Sequence, residues 1–193
     1  MNSEVTEIIF LLDRSGSMSG LEEDTIDGFN SMIKSQSERF GDTLLTTILF
    51  DDQYEVLWNG VDASSAVLTE KEYYVRGTTA LLDAVGKTIL DVGYRLSKTT
   101  GSQKTDKVIF VITTDGMENA SHEFTYEKVK NLINHQQDKY NWEFIFMGAN
   151  IDAAQEANCI GIDTDSAYSF EASTKGVEKM YDLVNEAITL RRD

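Results

Sequence analysis

The run Val108-Ile109-Phe110-Val111-Ile112-Thr113-Thr114 constrains this chain more than any other stretch. Every position is β-branched or aromatic and none of the apolar residues alternates with a charge, so a strand made of it needs cover on both faces. A parallel sheet flanked by crossover helices supplies that cover.

The rest of the sequence provides the parts. VTEIIFLLD (residues 5–13) and WEFIFMG (142–148) read as further buried strands, and AYSFE (167–171) as an edge strand. Between them lie segments whose apolar residues recur every three or four positions. Leu21 to Glu38 carries Leu21, Ile26, Phe29, Met32 and Ile33 on one face. Thr79 to Leu96 carries Leu82, Val85, Ile89, Val92 and Leu96. Shorter helices are expected near Tyr126 to Gln136 and over Ala153 to Asn158. Val177, Met180, Tyr181, Val184 and Ile188 mark a closing helix. Leu44 to Phe50 and Tyr54 to Trp58 flank Asp51-Asp52-Gln53, a connection short enough to force antiparallel pairing. The expectation is one domain over residues 1–193. It is a doubly wound α/β fold of about six strands, mostly parallel with one antiparallel strand, and helices on both faces. Such sheets take ligands beyond the carboxyl ends of their strands.

Composition narrows the function. The net charge of −16 repels nucleic acid phosphates and anionic lipid surfaces. The N-terminal residues lack a basic region and a long apolar run, which predicts neither a signal peptide nor a membrane span. A lone cysteine, Cys159, excludes a disulfide framework and multi-cysteine zinc sites, and fits a cytoplasmic location. It reads as buried packing.

Three places at expected strand or helix ends are rich in oxygen ligands: Asp13-Arg14-Ser15-Gly16-Ser17, Gly77-Thr78-Thr79 and Thr114-Asp115-Gly116. Two carboxylates and three hydroxyls suit a hard divalent cation such as Mg²⁺. With these residues the chain resembles the von Willebrand factor A family, whose metal-ion-dependent adhesion site combines D-x-S-x-S after the first strand, a threonine before a later helix and an aspartate after a third strand. The resemblance covers nearly the whole chain, and FMGANIDAAQEANCIGID also looks like the family's fifth strand and following helix. It implies metal ligation by Asp13, Ser15, Ser17, Thr79 and Asp115. Thr79 is preferred over Thr78 because Ala80-Leu81 follow it directly, as they follow the family threonine. The resemblance further implies Mg²⁺ or Mn²⁺ as the ion and a partner protein's Glu or Asp carboxylate as its sixth ligand. It implies direct binding by the three hydroxyls, with the two aspartates acting largely through water. A closing helix that shifts with ligand binding is also implied, with Gly176 as a place where the backbone path could change.

Other chemistries find less in the sequence. The nearest approach to a nucleophile elbow, Gly16-Ser17-Met18-Ser19-Gly20, has methionine where the nucleophile belongs, and no phosphate-binding glycine loop occurs. His135 falls on a helix, and His122 in a loop near Asp115; neither is given a catalytic role. Asp51 and Asp52 read as turn residues. Glu118 and Asn119 are candidates for contact with a partner at the rim of the site. The reading is therefore a metal-dependent protein-binding module and not an enzyme. Its alternatives are a metal-dependent hydrolase or phosphotransferase using the same ion, or a subunit of a chelatase, secretion or stress-response assembly.

Overall fold

The computed structural model describes residues 4–101 and 104–193. In chain order the elements are β1 (Val5–Asp13), α1 (Glu22–Ser37), β2 (Asp42–Phe50), β3 (Tyr54–Asp62), α2 (Leu81–Lys98), β4 (Lys107–Thr114), α3 (Tyr126–Tyr140), β5 (Glu143–Ala149), α4 (Ala153–Cys159), β6 (Ala167–Phe170) and α5 (Thr174–Arg192). The strands form one sheet in the order β3-β2-β1-β4-β5-β6. Only the β2–β3 hairpin is antiparallel; the other neighbours run parallel. The chain winds one way from β1 to β2 and β3, then returns across to β4, β5 and β6. The order reverses between β1 and β4, and in open sheets of this kind ligands bind beyond the carboxyl ends of the strands at such a reversal.

Strand alternation divides the core into two layers. Ile8, Phe10 and Leu12 of β1 join the cluster that includes Phe29, Met32 and Ile33 of α1 with Val177, Met180, Val184 and Ile188 of α5. Ile9 and Leu11 face the other way, into Leu82, Val85 and Ile89 of α2, Val129 and Ile133 of α3, and Ala153 and Ala157 of α4. Phe10 sits edge-on to Phe29 at 5.2 Å and stacked on Tyr181 at 6.1 Å. Each aromatic or aliphatic side chain so buried contributes about 1.5–3 kcal/mol relative to exposure. Gly28, in the middle of α1, is there for this layer. A β-carbon at that position would overlap Cδ2 of Tyr181. The roughly 1 kcal/mol that glycine costs inside a helix is exchanged for close approach of the ring.

Charge also enters the core. All nine residues of β1 are buried, including Glu7, which is fully covered. Its carboxylate pairs with Arg95 of α2 and accepts from Thr46 Oγ1 at 2.6 Å. Thr46 Oγ1 in turn accepts from Gly60 N at 2.9 Å, where the β2–β3 register shifts. The buried acid is thus neutralised and stitched to three elements.

Some expectations need adjustment. The second long helix starts at Leu81, not Thr79, which leaves Thr79 in the preceding loop. The third helix runs on to Tyr140 and stops at Asn141, whose φ of 54° is left-handed. Cys159 is exposed and not buried packing, because Ala153, Ala157 and Ile160 carry the inward face there. Gly176 lies inside α5, where a β-carbon would overlap the Glu171 carbonyl oxygen. Close approach explains that glycine without a hinge. Among the described residues no helix is long and apolar enough to cross a membrane.

Candidate metal centre

Asp13 is the last residue of β1 and lies beside the end of β4. Its Oδ1 accepts from Ser15 N at 2.7 Å, a local aspartate turn that swings the chain off the sheet. Its Oδ2 accepts from Thr114 Oγ1 at 2.9 Å and Asp115 N at 3.3 Å. The Asp13 carbonyl accepts from the buried Tyr73 hydroxyl at 3.0 Å. Backbone and carboxylate are both fixed.

The other oxygen residues gather around it. Ser15 Oγ donates to Asp115 Oδ1 at 3.0 Å and lies 3.4 Å from Ser17 Oγ. A β-carbon built on Gly116 would stand 3.6 Å from Thr79 Oγ1 and 3.8 Å from Ser17 Oγ, so both hydroxyls converge on the bare backbone after Asp115. Asp13, Ser15, Thr79 and Asp115 are buried, and Ser17 is open to solvent. Thr78 is exposed, which leaves Thr79 as the threonine that faces the cluster.

The loop carrying Thr79 is held on three sides. Gly16 N donates to Gly77 O at 3.2 Å, Arg76 N to Arg14 O at 2.8 Å and Ala80 N to Asp51 O at 2.8 Å. Gly77 has φ +68°, and a β-carbon there would overlap Asp52 Oδ1, so the position requires glycine. Asn119 clamps Thr79 in both directions: its Oδ1 accepts from Thr79 N at 2.9 Å and its N–H donates to Thr79 O at 3.0 Å.

Electrostatics show what the cluster lacks. Neither Asp13 nor Asp115 has an ion-pair partner among the described residues. Burial, and after it the facing Asp115 carboxylate, push Asp13 up to about 7 despite the hydrogen bonds from Ser15 and Thr114. Asp115 Oδ2 is buried and has no hydrogen-bond partner among the described residues. An orphaned carboxylate oxygen beside a second carboxylate is costly for the protein alone, and a cation would relieve both problems. The donor set fits a hard divalent ion: two acids, three hydroxyls and no histidine or cysteine. No group of three or more His, Cys, Asp or Glu residues able to hold a metal occurs among the described residues. The site would depend on neutral hydroxyls.

Several supporting residues escaped the sequence reading. Glu118 is not free for a partner: its carboxylate accepts from Leu82 N, Ala120 N, Ser121 N and Ser121 Oγ, capping α2. Asn119 is likewise committed to Thr79. Asp51 does form the expected turn, accepting from Gln53 N at 2.7 Å, yet it is fully buried and also accepts from Arg76 Nε at 2.7 Å. Asp83 accepts from the backbone of His122, Glu123 and Phe124 and so ties the loop after Asp115 to α2. His122 is exposed and His135 lies on α3.

No family model matches the sequence, and no curated protein does. Solved structures do. Proximal thread matrix protein 1 of the mussel byssus, with a zinc-occupied MIDAS motif, is 16% identical with a TM-score of 0.67, over 96% of this chain and 46% of that one. The manganese-loaded TRAP protein of Plasmodium vivax is 19% identical with a TM-score of 0.64, over 92% of this chain and 72% of that one. VWA2, the ArnB paralog of Sulfolobus acidocaldarius, is 13% identical with a TM-score of 0.58, over 92% and 44%. The chain thus spans less than half the length of the mussel protein. At these identities the likeness is one of fold.

Proposed function

Since the chain has the von Willebrand factor A fold, we propose that it is a divalent-metal-dependent protein-binding module whose ion is held by Asp13, Ser15, Ser17, Thr79 and Asp115. The observation that carries this reading is Asp115 Oδ2, which has no hydrogen-bond partner among the described residues and is buried within a converging set of hydroxyls at the sheet's switch point. Two carboxylates balance a doubly charged ion, while neutral hydroxyls leave it electrophilic. It can then accept a Glu or Asp carboxylate from a partner in spite of the chain's net charge of −16. Mg²⁺ or Mn²⁺ is the ion this set favours. The activity is binding and not catalysis, and a cytoplasmic location suits a chain whose single cysteine is exposed and can form no internal disulfide.

Affinity capture with the protein as bait tests the reading. Partners should be retained in Mg²⁺, released by a chelator and lost with Asp115→Ala. A partner set indifferent to both treatments would overturn it.

A further inference from the structure

Directly behind Asp13 is a cavity of about 10 Å³, close to the smallest volume that admits one water. Asp13, Thr25 of α1, Thr114 and Tyr181 of α5 line it, with Met180 and Leu12 among the apolar neighbours. Two of the lining residues pose a problem. The Tyr181 hydroxyl is buried and has no hydrogen-bond partner among the described residues, and the buried Thr25 Oγ1 has none beyond the adjacent Tyr73 hydroxyl. Tyr181 is 3% exposed and Thr25 1%. Unpaired buried hydroxyls are rare, because each forfeits its hydrogen bonds to water.

The neighbours show where these hydroxyls lead. Tyr73 is buried, and its phenol is pushed far up by burial and then by the Asp13 charge, with the adjacent Thr25 hydroxyl pulling the other way. The Tyr181 phenol is raised by its own burial and by Tyr73. Tyr73 already donates to the Asp13 carbonyl. Tyr181 and Thr25 line the small space, and Tyr73, next to Thr25, links it to the backbone of Asp13. Gly28 brings Tyr181 to this place by letting its ring lie against α1.

We infer that the cavity is an internal water site, in which one water bridges the Tyr181 and Thr25 hydroxyls and completes a polar chain through Tyr73 to the carbonyl of Asp13. The bound molecule gives the stranded Tyr181 hydroxyl a partner and joins it to Thr25 on a second helix. Tyr181 is by this route a positioning residue: it touches no metal, but it helps fix the backbone from which the Asp13 carboxylate projects. The second half of the inference rests on the metal reading above; the water site itself does not.

The two alternatives differ in sign. Were the cavity dry, Tyr181→Phe would delete an unpaired hydroxyl and leave the melting temperature unchanged or raised. With the water present, the same change removes one of its partners and lowers the melting temperature in EDTA by about 2–4 °C. Thr25→Val should act in the same direction. A rise or no change for Tyr181→Phe in EDTA overturns the water site, and because no metal is involved, that result is independent of the proposed function. Calorimetric titration with Mn²⁺ then tests positioning. Tyr181→Phe and Thr25→Val should each weaken binding by about threefold, below the loss typical of a residue that hydrogen-bonds a ligand directly, while Thr25→Ser keeps the hydroxyl and the wild-type affinity. Equal affinity in all four proteins overturns the positioning role. A wild-type protein that binds no Mn²⁺ overturns both that role and the metal reading.

Discussion

Strand β1 buries two acids, Glu7 and Asp13, and surrounds them in opposite ways. Glu7 meets Arg95 and Thr46. Asp13 meets a second carboxylate and has no ion-pair partner among the described residues. The first arrangement is complete within the chain. The second holds no counter-charge among the described residues, and on the proposed reading that asymmetry separates a structural acid from a binding one.

Breaking the completed pair should have the largest effect. Arg95→Ala leaves Glu7 buried and unpaired, and should cost about 3–5 kcal/mol in chemical denaturation, with metal affinity unchanged in the fraction that stays folded. The same logic reversed applies at the other end of the strand. Asp115→Asn removes a repelling charge, so the metal-free protein should melt at the wild-type temperature or a few degrees higher, while Mg²⁺ binding falls at least tenfold, about 1.4 kcal/mol. Loss of both stability and binding would show that Asp115 is a structural acid like Glu7.

Finer tests concern the loops that frame the site. Thr79→Ala should weaken Mg²⁺ binding severalfold and Thr78→Ala should not, since only Thr79 is buried against Gly116. The opposite ranking in a titration would relocate the ligand. Asp83 provides the smallest effect and a pH dependence. Burial alone would raise its pKa, but three backbone N–H donors together hold it below the usual carboxylate value. Its contribution is therefore present above an ordinary aspartate pKa and is lost as pH falls through the lowered folded value. Amides 122–124 should lose their hydrogen-exchange protection in acid, and at neutral pH in Asp83→Ala. Unchanged protection in that variant would mean the loop is held elsewhere.

The buried strands, the hairpin and the order of elements were legible because periodicity and β-branched runs are local signals. The gathering of the five oxygen residues was legible as well, since each lies at the end of a strand or in the loop that follows it or leads into a helix. Their supports were not. Glu7 in VTEIIFLLD signals that some partner must exist, but nothing in the sequence points to Arg95 on a helix across the sheet. Gly28 inside an amphipathic helix likewise signals a close approach, and only the packing of α5 on α1 identifies Tyr181 as its cause. Asp51 has the residue type of a turn and performs that task, so its burial beneath Arg76 left no separate trace. Glu118 and Asn119 looked available to a partner because short loops do not reveal which backbone amides need capping.

The proposed binding requires the Asp13–Asp115 pair to take a cation that presents an open position to a carboxylate. Calorimetric titration of Mg²⁺ into chelator-treated protein, with and without acetate, tests this directly. One Mg²⁺ should bind per chain, more tightly with acetate present, and Asp13→Ala should reduce the affinity at least tenfold. Wild-type and Asp13→Ala proteins that bind Mg²⁺ equally, or an affinity that acetate leaves unchanged, would contradict it.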